Sequence, residues 1–206
     1  MEALLSSIVS AILQVVVFSL IPLIAWAVTA RGREPVLSWL GLVRAPPRVL
    51  GLALVIALLN LGLGLSETLV TMLGSEGTVS GRFAGQAFGG FVVATVLVEA
   101  WFKTGLSEEI FFRGFLARRL IARFGFRAGN AVQALIFGAI HLPVVAVLPP
   151  ELQTAPVFLF LVGMPTLMGW VMGWLNERQA GGSILPGWVM HGAGNTVAYL
   201  TPMMWG

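Results

Sequence analysis

The chain contains no cysteine and no aspartate, a single tyrosine and only two histidines. Without cysteine there is no disulfide, no thiolate metal site and no cysteine nucleophile. Without aspartate, every side-chain carboxylate is a glutamate. Charge is scarce too: 10% of the 206 residues are charged and 57% are hydrophobic, with a mean hydropathy of +0.91. A water-soluble domain carries about a quarter of its residues charged, so the solvent of this chain is lipid. The basic balance (net charge +3) does not point to nucleic acid, because the arginines are gathered in short stretches between apolar runs. That is how topology signals face an anionic leaflet.

What is present are long apolar runs. Six segments pass a hydropathy test: 4–29, 49–65, 87–102, 128–148, 155–175 and 183–200. Each approaches the roughly 20 residues that a spanning helix needs. Period-two alternation is missing, so helices are expected and a β-barrel is not. The first run lacks a basic n-region and is too long for a signal-peptide core, so it reads as a retained span. The expected fold is all-α: one membrane-embedded domain over 1–206, a polytopic bundle of about six transmembrane helices plus one interfacial or re-entrant helix. No fixed-period repeat is present, and no pattern bears on oligomeric state.

Arg31, Arg33, Arg44 and Arg48 lie between the first two runs. Lys103, Arg118, Arg119, Arg123 and Arg127 lie between the third and fourth, and Arg178 between the last two. The opposite connections hold Glu67, Glu76, Arg82 and Glu151. The basic side should be cytoplasmic, which places the protein in the cell membrane with both termini outside. Trp101, Trp170, Trp174, Trp188 and Trp205 fit interfacial belts. The Gly169/Gly173 pair fits a helix contact.

The stretch 104–124 reads TGLSEEIFFRGFLARRLIARF. Thr104 or Ser107 would serve as N-cap, with Glu108 and Glu109 in the first turn at the positive end of the dipole. Gly105 would permit a break from the preceding span. Phe111, Phe112, Phe115 and Leu116 give this helix an apolar face, so it either lies in the interface or dips into the membrane. Glu99 has no assigned partner.

Both histidines fall inside apolar runs, His141 in the fourth and His191 in the sixth, and none falls in a loop. Ionisable groups in hydrocarbon cost several kcal/mol each, on the order of 2.5–3.5 by insertion scales, and mark function by default. Asn195 lies one turn beyond His191 on the same face, and Gly192 and Gly194 let a backbone approach there. Glu109 and Arg113 are spaced i,i+4, which suits an ion pair, while Glu108 points about 100° away and is free for other work.

Three patterns therefore occur in order: E-E-x-x-x-R at Glu108–Arg113, F-x-x-x-H at Phe137–His141 and H-x-x-x-N at His191–Asn195. With them the chain resembles the CPBP family of CAAX proteases and bacteriocin-processing enzymes, also called Abi proteins. The likeness covers about half the chain, including the stretch GWLNERQAGGSILPGWVMHGAGN from Gly173 to Asn195. The resemblance implies an intramembrane peptidase whose catalytic core spans about 87–200, with 1–86 adding two spans and their loops. It implies Glu108 as the base that activates water, His141 orienting that water, and His191 with Asn195 stabilising the oxyanion. Glu109, Arg113 and Phe137 take supporting roles.

On that reading no cofactor is required. The set Glu108, His141 and His191 is also a catalytic zinc ligand set, so a zinc-dependent or other divalent-metal peptidase stays open, although the H-E-x-x-H helix is missing. The partners are the bilayer and a membrane-associated peptide or protein. A chain this short and loop-poor looks bacterial, which makes a prenylated tail a less expected substrate than a leader peptide or membrane protein. A serine route lacks its G-x-S-x-G elbow. A proton-coupled transporter would want inverted repeats, which are not found, and a catalytically idle scaffold would not need the full motif set. Hydropathy leaves one geometric demand: Glu108 sits near the cytoplasmic edge, some 13–20 Å from the level of the histidines at 1.5 Å per residue.

Overall fold

A computed structural model describes residues 1–61 and 66–205, and among these residues every regular element is helical. The helices are α1 (Glu2–Thr29), α2 (Val36–Trp39), α3 (Pro47–Leu61), α4 (Glu67–Gly74), α5 (residues 90–124), α6 (residues 126–139), α7 (Leu142–Val147), α8 (Ala155–Gln179) and α9 (Leu185–Trp205). Among the described residues three stretches are long and apolar enough to cross a membrane: Glu2–Thr29, Gly90–Val147 and Ala155–Gln179. Part of the expected second span, residues 62–65, lies outside the described residues.

The bundle is built for lipid. In α1 the buried positions are the small residues Ser7, Ala11 and Ser19 together with Pro22, while Ile12, Leu13, Val16, Leu20 and Ile24 face outward. Lipid tails are as apolar as leucine, so large side chains gain nothing by turning inward and small ones let backbones approach. The same rule operates between α6 and α8. A side chain at Gly138 would meet the Val162 carbonyl, and one at Gly169 would stand 3.1 Å from the Arg113 guanidinium and 3.2 Å from the Phe137 ring. Gly169 and Gly173 are thus helix contacts, and the groups they admit are largely polar: Gln133 donates to the Gly169 carbonyl (2.9 Å) and Asn130 to that of Trp170 (2.9 Å).

The expected break at Gly105 is not there. Helix α5 runs unbroken from Gly90 through Gly105 to Phe124, with π-helical stretches at Val98–Leu106 and Glu109–Ala117. Gly105 serves close packing instead: a Cβ there would come within 2.7 Å of the Ala100 carbonyl and 3.3 Å of the Trp188 ring. Neither Thr104 nor Ser107 is an N-cap. Thr104 donates to the carbonyls of Glu99 and Ala100, and Ser107 to that of Lys103, one helical turn back. Glu108 and Glu109 consequently sit mid-helix, without the dipole that a first turn would have supplied. In place of a separate interfacial or re-entrant helix there is one continuous helix of roughly 50 Å at 1.5 Å per residue.

The chain turns instead at Gly125, whose φ of 75° and ψ of 165° only glycine adopts readily. Gly129 then passes so close to Leu120 and Ile121 that no side chain fits between the backbones. At this end of the bundle Arg118 donates to the carbonyl of Ser38 (3.0 Å) and pairs with Glu177 (3.7 Å), while Ile184 N–H donates to Gly41 O (2.9 Å). The basic stretches around residues 31–44, 118–127 and 178 therefore share one end. Lys103 does not join them: it pairs with Glu99 inside the bundle (3.0 Å). Trp101 and Trp188 also leave the expected belt. Trp188 Nε1 donates to Trp101 O (2.6 Å), and Trp101 Nε1 to Thr196 Oγ1 (3.0 Å).

Candidate active site

Helix α5 carries its two glutamates to the level of His191 on α9, which meets the geometric demand left by hydropathy. His191 stands between them. Its Nε2 lies 3.8 Å from Glu108 Oε2, and its Nδ1 lies 3.3 Å from Glu109 Oε1. Two consecutive residues of an α-helix point about 100° apart. Here the π turns beginning at Glu109 widen the helix beside the pair, a distortion that recurs at functional sites.

Glu109 is fully buried and pairs with Arg113 at 2.9 Å, whose guanidinium is 1% exposed and lies 3.9 Å from the centre of the Phe137 ring. An isolated ion at this depth would cost several kcal/mol, so the pair stands only because each charge answers the other. Glu108 keeps a small exposure of 14%, and its Oε2 has no hydrogen-bond partner. One carboxylate is thus held and the other is free.

Phe137 stands edge-on between the imidazoles, 5.4 Å from the His141 ring and 5.7 Å from the His191 ring. His141 lies at the bend between α6 and α7, where its Nδ1 meets the Phe137 carbonyl at 2.9 Å. A carbonyl only accepts, so this nitrogen carries the proton and Nε2 presents a lone pair. His191 turns its Nδ1 to the ion-paired Glu109 and its Nε2 towards Glu108.

A cavity of about 170 Å³ opens beside them, lined by His141, His191, Asn195 and Gly194 and otherwise by an apolar wall that includes Met164, Met168, Met172 and Met190. A side chain built at Gly194 would meet nothing, whereas one at Gly192 would strike the Trp101 ring. The first glycine faces the cavity and the second seats α9 on α5. Asn195 is not paired with His191, the partner one turn away. Its Nδ2 donates to Thr104 Oγ1 at 2.8 Å, and Tyr199 OH lies 3.5 Å from the same oxygen.

The structure therefore brings Glu108, Glu109, Arg113, Phe137, His141 and His191 into one chain of neighbours, with Asn195 on the same cavity wall. Thr104, Tyr199, Asn130, Gln133 and Asn176 were missed in the sequence. Asn176 is buried and accepts from Gly187 N–H (2.9 Å), beside the Glu109 carboxylate. A polar residue inside an apolar run was the available signal, and Asn130 and Gln133 carried it. Bare Nε2 atoms also suit metal ligation. Among the described residues no group of three or more His, Cys, Asp or Glu side chains is gathered as a ready-made metal site.

Residues 88–197 match the family described as Type II CAAX prenyl endopeptidase Rce1-like. No curated protein and no solved structure matches the chain.

Proposed function

Since the chain belongs to the Type II CAAX prenyl endopeptidase Rce1-like family, and is thus an all-helical membrane protein of a protease family, we propose that it is an intramembrane endopeptidase in which Glu108 activates the attacking water. The observation that carries this reading is the free Glu108 oxygen, 3.8 Å from His191 Nε2, next to a cavity whose wall holds His141, His191 and Asn195.

On this reading Glu108 takes a proton from water bound between itself and the cavity, a contribution of about 10²–10⁴-fold. His141 offers its bare Nε2 as an acceptor that orients the same water. The negative oxygen that forms at the scissile carbonyl needs donors. Asn195 supplies an N–H. His191 supplies one when its Nε2 also carries a proton, with Glu109 compensating the charge at Nδ1. Glu109, Arg113 and Phe137 hold the imidazoles in register.

The substrate is a membrane-associated peptide segment whose apolar residues rest against the methionine wall, since thioether side chains adapt to irregular apolar partners. The chain is a bacterial, CPBP-type member with about six spans. Its basic end faces the cytoplasm, both termini lie outside, and the site opens towards the cytoplasm. No metal is required.

The test is cleavage of a pool of internally quenched apolar peptides by the purified protein in detergent, with and without a chelator. Glu108→Ala and His141→Ala are expected to abolish turnover while expression and thermal unfolding stay as in the parent. Full turnover in either variant overturns the assignment, and loss of activity on chelation replaces the metal-free route with a metal-assisted one.

A further inference from the structure

Asn195 has a single side-chain hydrogen bond among the described residues, and its partner is Thr104. The Thr104 hydroxyl has one proton, and that proton faces two backbone carbonyls, Glu99 O at 3.0 Å and Ala100 O at 3.2 Å. Carbonyls cannot donate, so the Thr104 oxygen is left to accept. The Asn195 carboxamide must therefore turn its NH₂ towards Thr104 and its Oδ1 the other way. A carboxamide rotated by half a turn exchanges a donor for an acceptor at the same place. Without an anchor both states are populated, and one of them sets an oxygen against any oxyanion in the cavity that Asn195 lines.

The π-helical turn supplies the anchor. Thr104 sits in Val98–Leu106 and reaches back five residues to Glu99 O, the spacing of a π turn. Tyr199, one turn beyond Asn195 on α9, brings its hydroxyl to 3.5 Å from the same oxygen and stacks on Phe83 at 6.0 Å. Two side chains of α9 thus converge on one hydroxyl of α5.

We infer that Thr104 is a positioning residue that locks the Asn195 carboxamide in one flip state, with one N–H held by Thr104 and the second N–H left for a ligand in the cavity that Asn195 lines. The inference rests on the hydrolytic reading for its consequence, but the lock itself is independent of it.

The chain has four asparagines, Asn60, Asn130, Asn176 and Asn195, so asparagine-selective ¹⁵N labelling of the full protein in nanodiscs yields a short spectrum of side-chain amides. Asn195→Ala identifies the Asn195 pair. In Thr104→Val, which keeps the shape and removes the acceptor, the proton of that pair held by Thr104 is expected to lose its downfield shift. Thr104→Ser is expected to restore it. An Asn195 pair unchanged in Thr104→Val overturns the lock, whatever turnover does.

With the quenched peptide pool as probe, Thr104→Val is expected to lower kcat about tenfold, the weight of one hydrogen bond, with KM unchanged and thermal unfolding within the range of Thr104→Ser. Asn195→Ala is expected to cost about 10²–10³-fold, and adding Thr104→Val to it is expected to cost nothing further. Additive losses, or a raised KM with kcat intact, overturn the positioning role. Turnover that survives Glu108→Gln defeats the hydrolytic reading instead, and the amide spectrum still decides whether Thr104 holds Asn195.

Discussion

Helix α5 carries two glutamate–cation pairs of the same spacing, ten residues apart, and they differ in how fully they are satisfied. Glu99 accepts from Ser7 on α1 (2.8 Å), Arg82 (2.8 Å) and Lys103 (3.3 Å), and no oxygen is left over. Glu109 pairs with Arg113 and His191, but its Oε2 has no partner, and neither do Arg113 Nε and Nη2. Beside it Glu108 holds another free oxygen. A buried polar network that is closed fixes a fold, whereas one left partly open retains capacity for a visitor. The Glu99 group ties α1 to α5, and the Glu108–Glu109 group sits beside His191 at the edge of the cavity.

The sharpest way to break this comparison is to neutralise one carboxylate in each group. Glu108→Gln is expected to reduce peptide turnover by about 10²–10⁴-fold with little change in thermal unfolding, while Glu99→Gln keeps turnover. Equal losses from the two would erase the distinction. Next in size, Glu109→Leu strands Arg113 in the interior and is expected to destabilise by about 3–5 kcal/mol, read by thermal denaturation in detergent. Adding Arg113→Met should recover much of that stability without recovering cleavage, because apolar replacement of a buried pair is close to neutral.

Glu99→Leu is expected to cost less, about 1–3 kcal/mol, since Arg82 is half exposed and turns to water when its partner goes. Smallest is Arg82→Ala, on the order of 0.5 kcal/mol, because Ser7 and Lys103 still serve the carboxylate. A larger loss would mean that the Glu99 group is less self-sufficient than its geometry implies.

How far the sequence disclosed this arrangement follows from what hydropathy measures. The apolar runs located α1, α8 and most of α9, and depth plus helical phase placed His191 and Asn195 on an inward face. Residues 103–113 resemble a loop in sequence because a window average counts Lys103, Glu108, Glu109 and Arg113 as four charges. In the folded chain Lys103 and Arg113 are each cancelled by a glutamate four residues earlier. A helix whose charges pair within itself looks like a loop to any scale that sums residues singly. For the same reason Gly105 resembled a break, although its small size serves contact with Trp188. That helix ends at Phe124, where Gly125 adopts a positive φ. No local pattern told that Asn195 would prefer Thr104, 91 residues away, over His191 one turn away.

The unequal pairing along α5 also bears on how the chain is made. Glu99–Lys103 and Glu109–Arg113 can form as soon as one turn of helix exists, so this segment can leave the ribosome already half neutralised. Glu108 finds its imidazole only when α9 arrives, 83 residues later in synthesis. Until then the membrane holds a helix with one uncompensated group at its centre. The last helix is therefore the one that completes the pairing of α5.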